Sequence, residues 1–231
     1  MVDSGLVFVV TAPTVCFVLG IAAQRLRLQR THPYHVVQPA NEVSGAIYLE
    51  SALAALVAKG FTVTGFGTEP KRNGHCLIVF ALSPDRLILA MIYSYRLLPS
   101  MICWTRLYSR LSDGRYIMTM SSDLSGDEQD VSGLMLGVWY HAVTTDALLS
   151  HHCRRLKNLQ NSPWPLDTAC DAVNEILGQR VERMVSHGQA RWTNSDKSHW
   201  RYSWRGSFAQ GFAWVRGALS SKVSGKVKSW T

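Results

Sequence analysis

The sequence predicts a mixed α+β protein tethered by its N-terminus, and three observations carry that reading. Residues 6–23, LVFVVTAPTVCFVLGIAA, run eighteen positions without a charge. Five short segments between residues 61 and 121 are rich in β-branched and aromatic side chains and are separated by turn signals. The stretch at 200–219, WRYSWRGSFAQGFAWVRGAL, sets large aromatic rings among arginines.

The first element is the apolar run. As a helix rising 1.5 Å per residue it reaches about 27 Å, close to the roughly 30 Å hydrocarbon core of a bilayer. Thr11 and Thr14 can bond back to their own helix, and Pro13 is tolerated in a membrane span. Positive charge follows the run rather than preceding it: Asp3 lies before it, and Arg25, Arg27 and Arg30 come directly after. That asymmetry argues against a secretory signal. It places the N-terminus outside and the rest of the chain in the cytoplasm, the arrangement of a single-pass protein of a bacterial inner membrane. A buried core helix or a cleaved signal are the alternatives. Residues 1–30 are thus expected to be anchor and juxtamembrane arginines, and 31–41, with two prolines, a linker.

A globular α+β domain is expected over 42–190. Val43, Ile47, Leu53, Leu56 and Val57 form a stripe at helical spacing, with Asn41 placed to cap it and Gly60 to end it. The period then changes. FTVTGF (61–66), HCLIVFAL (75–82), RLILAMIYSY (86–95), MICWTRLYS (101–109) and YIMTMS (116–121) read as an antiparallel meander of about five strands. Asn73-Gly74, Ser83-Pro84-Asp85, Pro99-Ser100 and Asp113-Gly114 punctuate it. Gly65-Phe66-Gly67 reads as a twist or bulge in a strand. An acidic loop at 123–133 and a short apolar segment follow. Thr144 or Thr145 opens a helix to about Leu159, Pro163 and Pro165 interrupt, and another helix runs from Asp167 to about His187. The helices are expected on one face of the sheet.

The last segment, 191–231, reads as a basic, aromatic amphipathic tail. Charged residues make up only 17% of the chain, yet the net charge is +8. From Val181 onward nine Lys or Arg face only Glu182 and Asp196, so +7 of that charge belongs to this end. As a helix, Trp200, Trp204, Phe208 and Phe212 recur every four residues, with Trp214 beside the row and Arg201, Arg205 and Arg216 as its cations. Such a face suits a membrane interface, with rings at headgroup level and guanidinium groups on phosphate. The same stripe also suits a helix packed on its own sheet, or a partner protein's groove. Nucleic acid is the less favoured anionic partner, because only aromatics mixed with arginine speak for it.

Motifs that carry chemistry are few. No phosphate loop, nucleophile elbow or HExxH pattern occurs. His151-His152-Cys153 falls on a helix, where adjacent side chains point about 100° apart and cannot share one ion. Asp123, Asp127, Glu128 and Asp130 match no calcium-loop spacing. Asp113, His151 and His152 are the candidates for a catalytic alternative. No metal, cofactor or catalytic set is expected. The five cysteines form no CxxC pair and read as reduced, mostly buried thiols.

YSWRGSFAQGFAWVRGAL, together with ALVAKGFTVTGF, SPDR, LSDGRYIMTM and ALLSHHCRRL, resembles an uncharacterised bacterial family of single-pass membrane proteins. The match spans most of residues 50–220 through short motifs. It departs at Ser220-Ser221, where a proline commonly ends the family's tail. The resemblance implies an anchor, a cytoplasmic domain and an aromatic tail, and no established activity. The function expected from all of this is non-catalytic association with the cytoplasmic face of an anionic bilayer, in support of a membrane protein complex. A membrane-tethered enzyme and a nucleic-acid binder acting through the basic tail are the alternatives.

Overall fold

The computed structural model describes residues 18, 20–22, 25–31, 33–37, 47–71, 74–97, 100–122, 126–129, 132–141, 143–165 and 169–212. Its strands are β1 (Gln29–Arg30), β2 (His35–Val37), β3 (Thr62–Lys71), β4 (Gly74–Leu82), β5 (Leu89–Leu97), β6 (Ser100–Leu111), β7 (Tyr116–Ser122), β8 (Gly126–Gln129), β9 (Met135–His141), β10 (Asn161–Ser162), β11 (Ala190–Trp192) and β12 (His199–Tyr202). Its helices are α1 (Ile47–Ala58), α2 (Thr145–Leu156) and α3 (Ala169–Ser186), and residues 204–212 are also helical.

The sheet is larger than the five-strand meander expected from sequence. Eight strands lie in the order β2-β3-β4-β5-β6-β7-β9-β8, and β10 pairs with β6 where β5 has ended. Antiparallel pairing holds from β2 to β7. The apolar segment after the acidic loop is β9, which slips between β7 and β8 and runs parallel to β7.

Helices cover both faces rather than one. Alternation along the strands decides which residue goes where. Ile78, Phe80, Met91, Tyr93 and Tyr108 meet Val173 and Ile176 of α3. Val79, Ala81, Ala90, Ile92 and Leu107 meet Leu49, Ala52 and Leu56 of α1 and Leu148 of α2. Unbroken apolar runs such as CLIVFAL follow from burial on both sides.

Turn chemistry sets the connections. Gly60, at φ +83°, ends α1: its N–H bonds the Val57 carbonyl and that of Phe61 bonds the Leu56 carbonyl. Gly114, at φ +82°, sits in the β6–β7 turn, where the Asp113 carboxylate accepts from the Arg115 backbone N–H (3.0 Å) and Nε (2.7 Å). The pairing of β3 with β4 shifts between Val63 and Gly65, a bulge. Two residues further on, Gly67 leaves no room for a side chain.

The expected N-terminal span falls mostly outside the described residues. Among those described, no helix is long and apolar enough to cross a membrane. Ile21, inside the expected span, is 3% exposed and therefore covered by the chain itself. The single-pass anchor and the inner-membrane placement derived from it do not stand. A charge-free run is a length signal; in the described part of this one Ile21 is buried in protein contact while Val18 is 54% exposed.

Gly67→Ala tests the packing of β2–β4. The new Cβ falls 2.8 Å from Phe80 Cε2 and 3.3 Å from the His35 carbonyl oxygen. Phe80 is 1% exposed, so its ring has little space to yield. A loss of about 1–3 kcal/mol is expected, read from urea unfolding at constant m-value.

Candidate functional site

The surface that matters is built where residues 25–31 meet residues 190–212. β1 pairs with β12 (Gln29↔Trp200, Arg30↔His199), and β12 pairs with β11 (Ala190↔Tyr202, Arg191↔Arg201, Trp192↔Trp200). Thr31 locks β1 onto the β11–β12 loop: its N–H donates to the Ser198 carbonyl (2.9 Å) and its hydroxyl to the Lys197 carbonyl (2.6 Å). Residues directly opposite in a ladder project to the same side. Trp200 and Tyr202 therefore pack inward with Val181, Met184 and Ala190. Arg191 and Arg201 lie opposite each other on the outer side, as do Arg30 and His199.

Helix 204–212 follows directly. α3 ends at Gly188 (φ +68°), with Gly188 N–H on the Val185 carbonyl and Gln189 N–H on the Met184 carbonyl. Ser203 caps the new helix. Its hydroxyl accepts from Gly206 N–H (3.1 Å) and donates to the Gly188 carbonyl (2.7 Å), while its own N–H bonds the Gln189 carbonyl. Gly206, Ser207, Gln210 and Gly211 are buried. Trp204, Phe208 and Phe212 face out, 51%, 45% and 63% exposed. Arg25 lies over the Trp204 ring at 4.3 Å, and Leu26, the next residue, is 70% exposed.

The sequence-predicted site residues thus separate. Trp200 is not part of the helical row; it lies in β12 and is 3% exposed. Arg201 shares that strand and is half-buried, Arg205 is exposed on the helix, and Trp204, Phe208 and Phe212 form the outward ridge. Trp214 and Arg216 lie outside the described residues. Arg25 and Arg191, which sequence reasoning did not single out for this surface, join it through tertiary contact alone.

The catalytic candidates lie elsewhere and apart. Asp113 sits on the exposed β6–β7 turn, bonded to Arg115. His151 stacks on Tyr140 (4.2 Å, 11°). His152, fully buried, inserts between α2 and the sheet. Its Nδ1 is 2.8 Å from Thr119 Oγ1 and its Nε2 3.0 Å from Ser109 Oγ. Ser109 spends its proton on the Leu87 carbonyl (2.7 Å), so Nε2 is the donor; Thr119 accepts from Arg155 Nη1 (2.7 Å), so its proton goes to Nδ1. Arg155 also bonds the carbonyls of Met118 (2.5 Å) and Leu136 (2.8 Å), bridging β7 and β9. Among the described residues no group of three or more His, Cys, Asp or Glu is placed to hold a metal. The four described cysteines are free; Cys76 and Cys170 are buried, Cys103 is half-buried and Cys153 is exposed.

On the opposite sheet face, Tyr93 stacks on Trp104 (4.9 Å, 12°), bonds Tyr34 (3.0 Å between hydroxyls) and accepts from Arg106 Nη1 (3.2 Å). Burial pushes the Tyr34 and Tyr93 hydroxyls up, against the pull of the Arg106 charge, so both stay protonated. No protein-family model, curated protein or solved structure matches the chain.

Two outcomes follow. Burial, and secondarily the Arg155 charge, holds His152 down at about 3, against about 6.5 when unfolded. Between those values the unfolded chain binds a proton that the folded protein refuses, so stability falls as pH drops through that window. His152→Gln is expected to be less stable near neutral pH but to lose up to about 1.4 kcal/mol per pH unit less on acidification, read from urea midpoints. At Gly206 a Cβ would fall 1.8 Å from the Gln189 carbonyl oxygen. Gly206→Ala is expected to lift the helix, cost at least about 1–3 kcal/mol and expose the chain after Ser203 to limited proteolysis.

Proposed function

We propose that the protein works by association rather than catalysis, docking its aromatic ridge and arginines on an anionic lipid surface in support of a membrane protein complex. One observation carries the reading: a short helix buries its glycines, serine and glutamine and turns Trp204, Phe208 and Phe212 outward. Water-exposed rings of that size, repeated every four residues, are costly on a free surface and are gained back at an interface. The bilayer headgroup region suits rings that stand beside cations.

Charge supports the same partner. Arg191 and Arg201 lie directly opposite on one strand pair. Like charges so placed repel unless an anionic surface answers them. Arg25, over Trp204, and Arg205, on the helix, extend the cationic border. Each basic group near an anionic leaflet contributes about 1 kcal/mol, so several of them and three shallowly inserted rings give stable peripheral binding. The enzyme alternative gains no support from its candidates: His152 is sealed inside and neutral, and Asp113 is held by Arg115 on a distant turn.

The test is flotation of the full chain with vesicles of phosphatidylglycerol and phosphatidylcholine, against phosphatidylcholine alone, across a salt series. Binding to the anionic vesicles is expected, weakening with salt. Replacing Trp204, Phe208 and Phe212 together with Ser is expected to reduce it more than tenfold while leaving the unfolding transition in place, since all three rings are already exposed. Retention on single-stranded oligonucleotides without partition onto vesicles would reverse the assignment in favour of nucleic acid.

A further inference from the structure

We propose that the partly exposed corner of the large sheet around Arg106 and Trp104 binds a small carboxylate anion carried on an aromatic or otherwise apolar body. Strand pairing sets the corner. Arg106 of β6 lies opposite Met91 and Met120, and Trp104, two residues away and so on the same face, lies opposite Tyr93. Burial falls off across these strands: Met91 and Tyr93 of β5 are fully buried, while Trp104, Arg106 and Met120 are half-buried. A solute can therefore reach the sheet here, at the margin of its core.

Arginine keeps its proton in a protein, and Arg106 meets no opposite charge. Its Nη1 donates to the Tyr93 hydroxyl (3.2 Å), the Tyr108 hydroxyl is its other side-chain partner, and its guanidinium lies 4.8 Å from the centre of the Tyr93 ring. Among the described residues no carboxylate forms an ion pair with it. Glu69, which acts on Tyr34, is not among the main groups acting on Arg106. Two donors are left over: Arg106 Nε and Trp104 Nε1 are buried with no hydrogen-bond partner. An unmet buried donor costs free energy, and more when it is charged. A carboxylate answers both shortages, because its two oxygens accept from a guanidinium fork and its single charge matches the single cation. A dianionic phosphate would bring a second charge that no cation at this corner answers. Trp104 and Met120 offer the ligand's apolar body a wall. The site lies on a different sheet from the aromatic ridge and stands without it.

The full chain is titrated calorimetrically with benzoate and with octanoate, and with benzamide and acetate as controls that lack the charge or the apolar body. The wild type, Arg106→Met, Arg106→Lys and Trp104→Phe are compared. One benzoate or octanoate per chain is expected, bound at least about tenfold more tightly than either control. Arg106→Met is expected to weaken it by at least about tenfold, and Arg106→Lys by less, since the charge stays and only the fork is lost. Trp104→Phe is expected to weaken it severalfold through the missing Nε1 donor. Tighter binding of benzoate assigns an aromatic body, and tighter binding of octanoate an aliphatic one. Should Arg106→Met fail to fold, the lysine and phenylalanine variants decide. Absence of binding by both acids to the wild type overturns the site, as does undiminished binding in folded Arg106 and Trp104 variants.

Discussion

The backbone carbonyl of Gln189 occupies the space that a side chain at position 206 would need, and the orientation of the C-terminal helix depends on that contact. Only glycine lets the first turn settle there, with the Ser203 cap and the end of α3 holding it from two further sides. Once the small face is pinned inward, helical geometry sends Trp204, Phe208 and Phe212 outward. The exposed ridge is therefore imposed by the packing beneath it.

The main sheet supplies the rigidity that such a surface requires. Its central strands are apolar on both sides, so the helices above and below compete for no residue. Beneath α2, buried polar groups bond in sequence. Arg155 reaches from α2 to the carbonyls of β7 and β9, and His152 links Thr119 to Ser109 beside it. That chain ties the parallel β7–β9 pair to the helix above it. Its polar members are costly to bury and specify one way of packing α2.

Residues 29–30 and 190–202 come together at the smaller sheet. β1 meets β12 across most of the sequence, and Arg25 lies on a ring from the far end. This long-range pairing brings Arg25 to the aromatic ridge. Bringing segments so far apart in sequence together carries a loop-closure entropy cost that the contact must offset.

The sequence by itself determined the α+β character, the segments that became β3 to β7, the Gly60 and Asp113-Gly114 turns, and the concentration of charge near the C-terminus. These follow from local chemistry: side-chain period, β-branching, positive φ and composition. The unbroken apolar runs at 76–82 and 87–93 also held the signal for helices on both faces, since one-sided burial demands alternation. Tertiary structure alone decided the rest. Whether Ile21 meets lipid or protein depends on what packs against it, and an apolar run is the same string in either case. Trp200 and Trp204 stand four apart in a stretch that reads as one helix, yet Trp200 is committed to a strand by its pairing with Gln29 and Trp192. Trp204 faces out because Gly206 meets a carbonyl. Those outcomes are set by partners distant in sequence, and a periodicity carries no information about them.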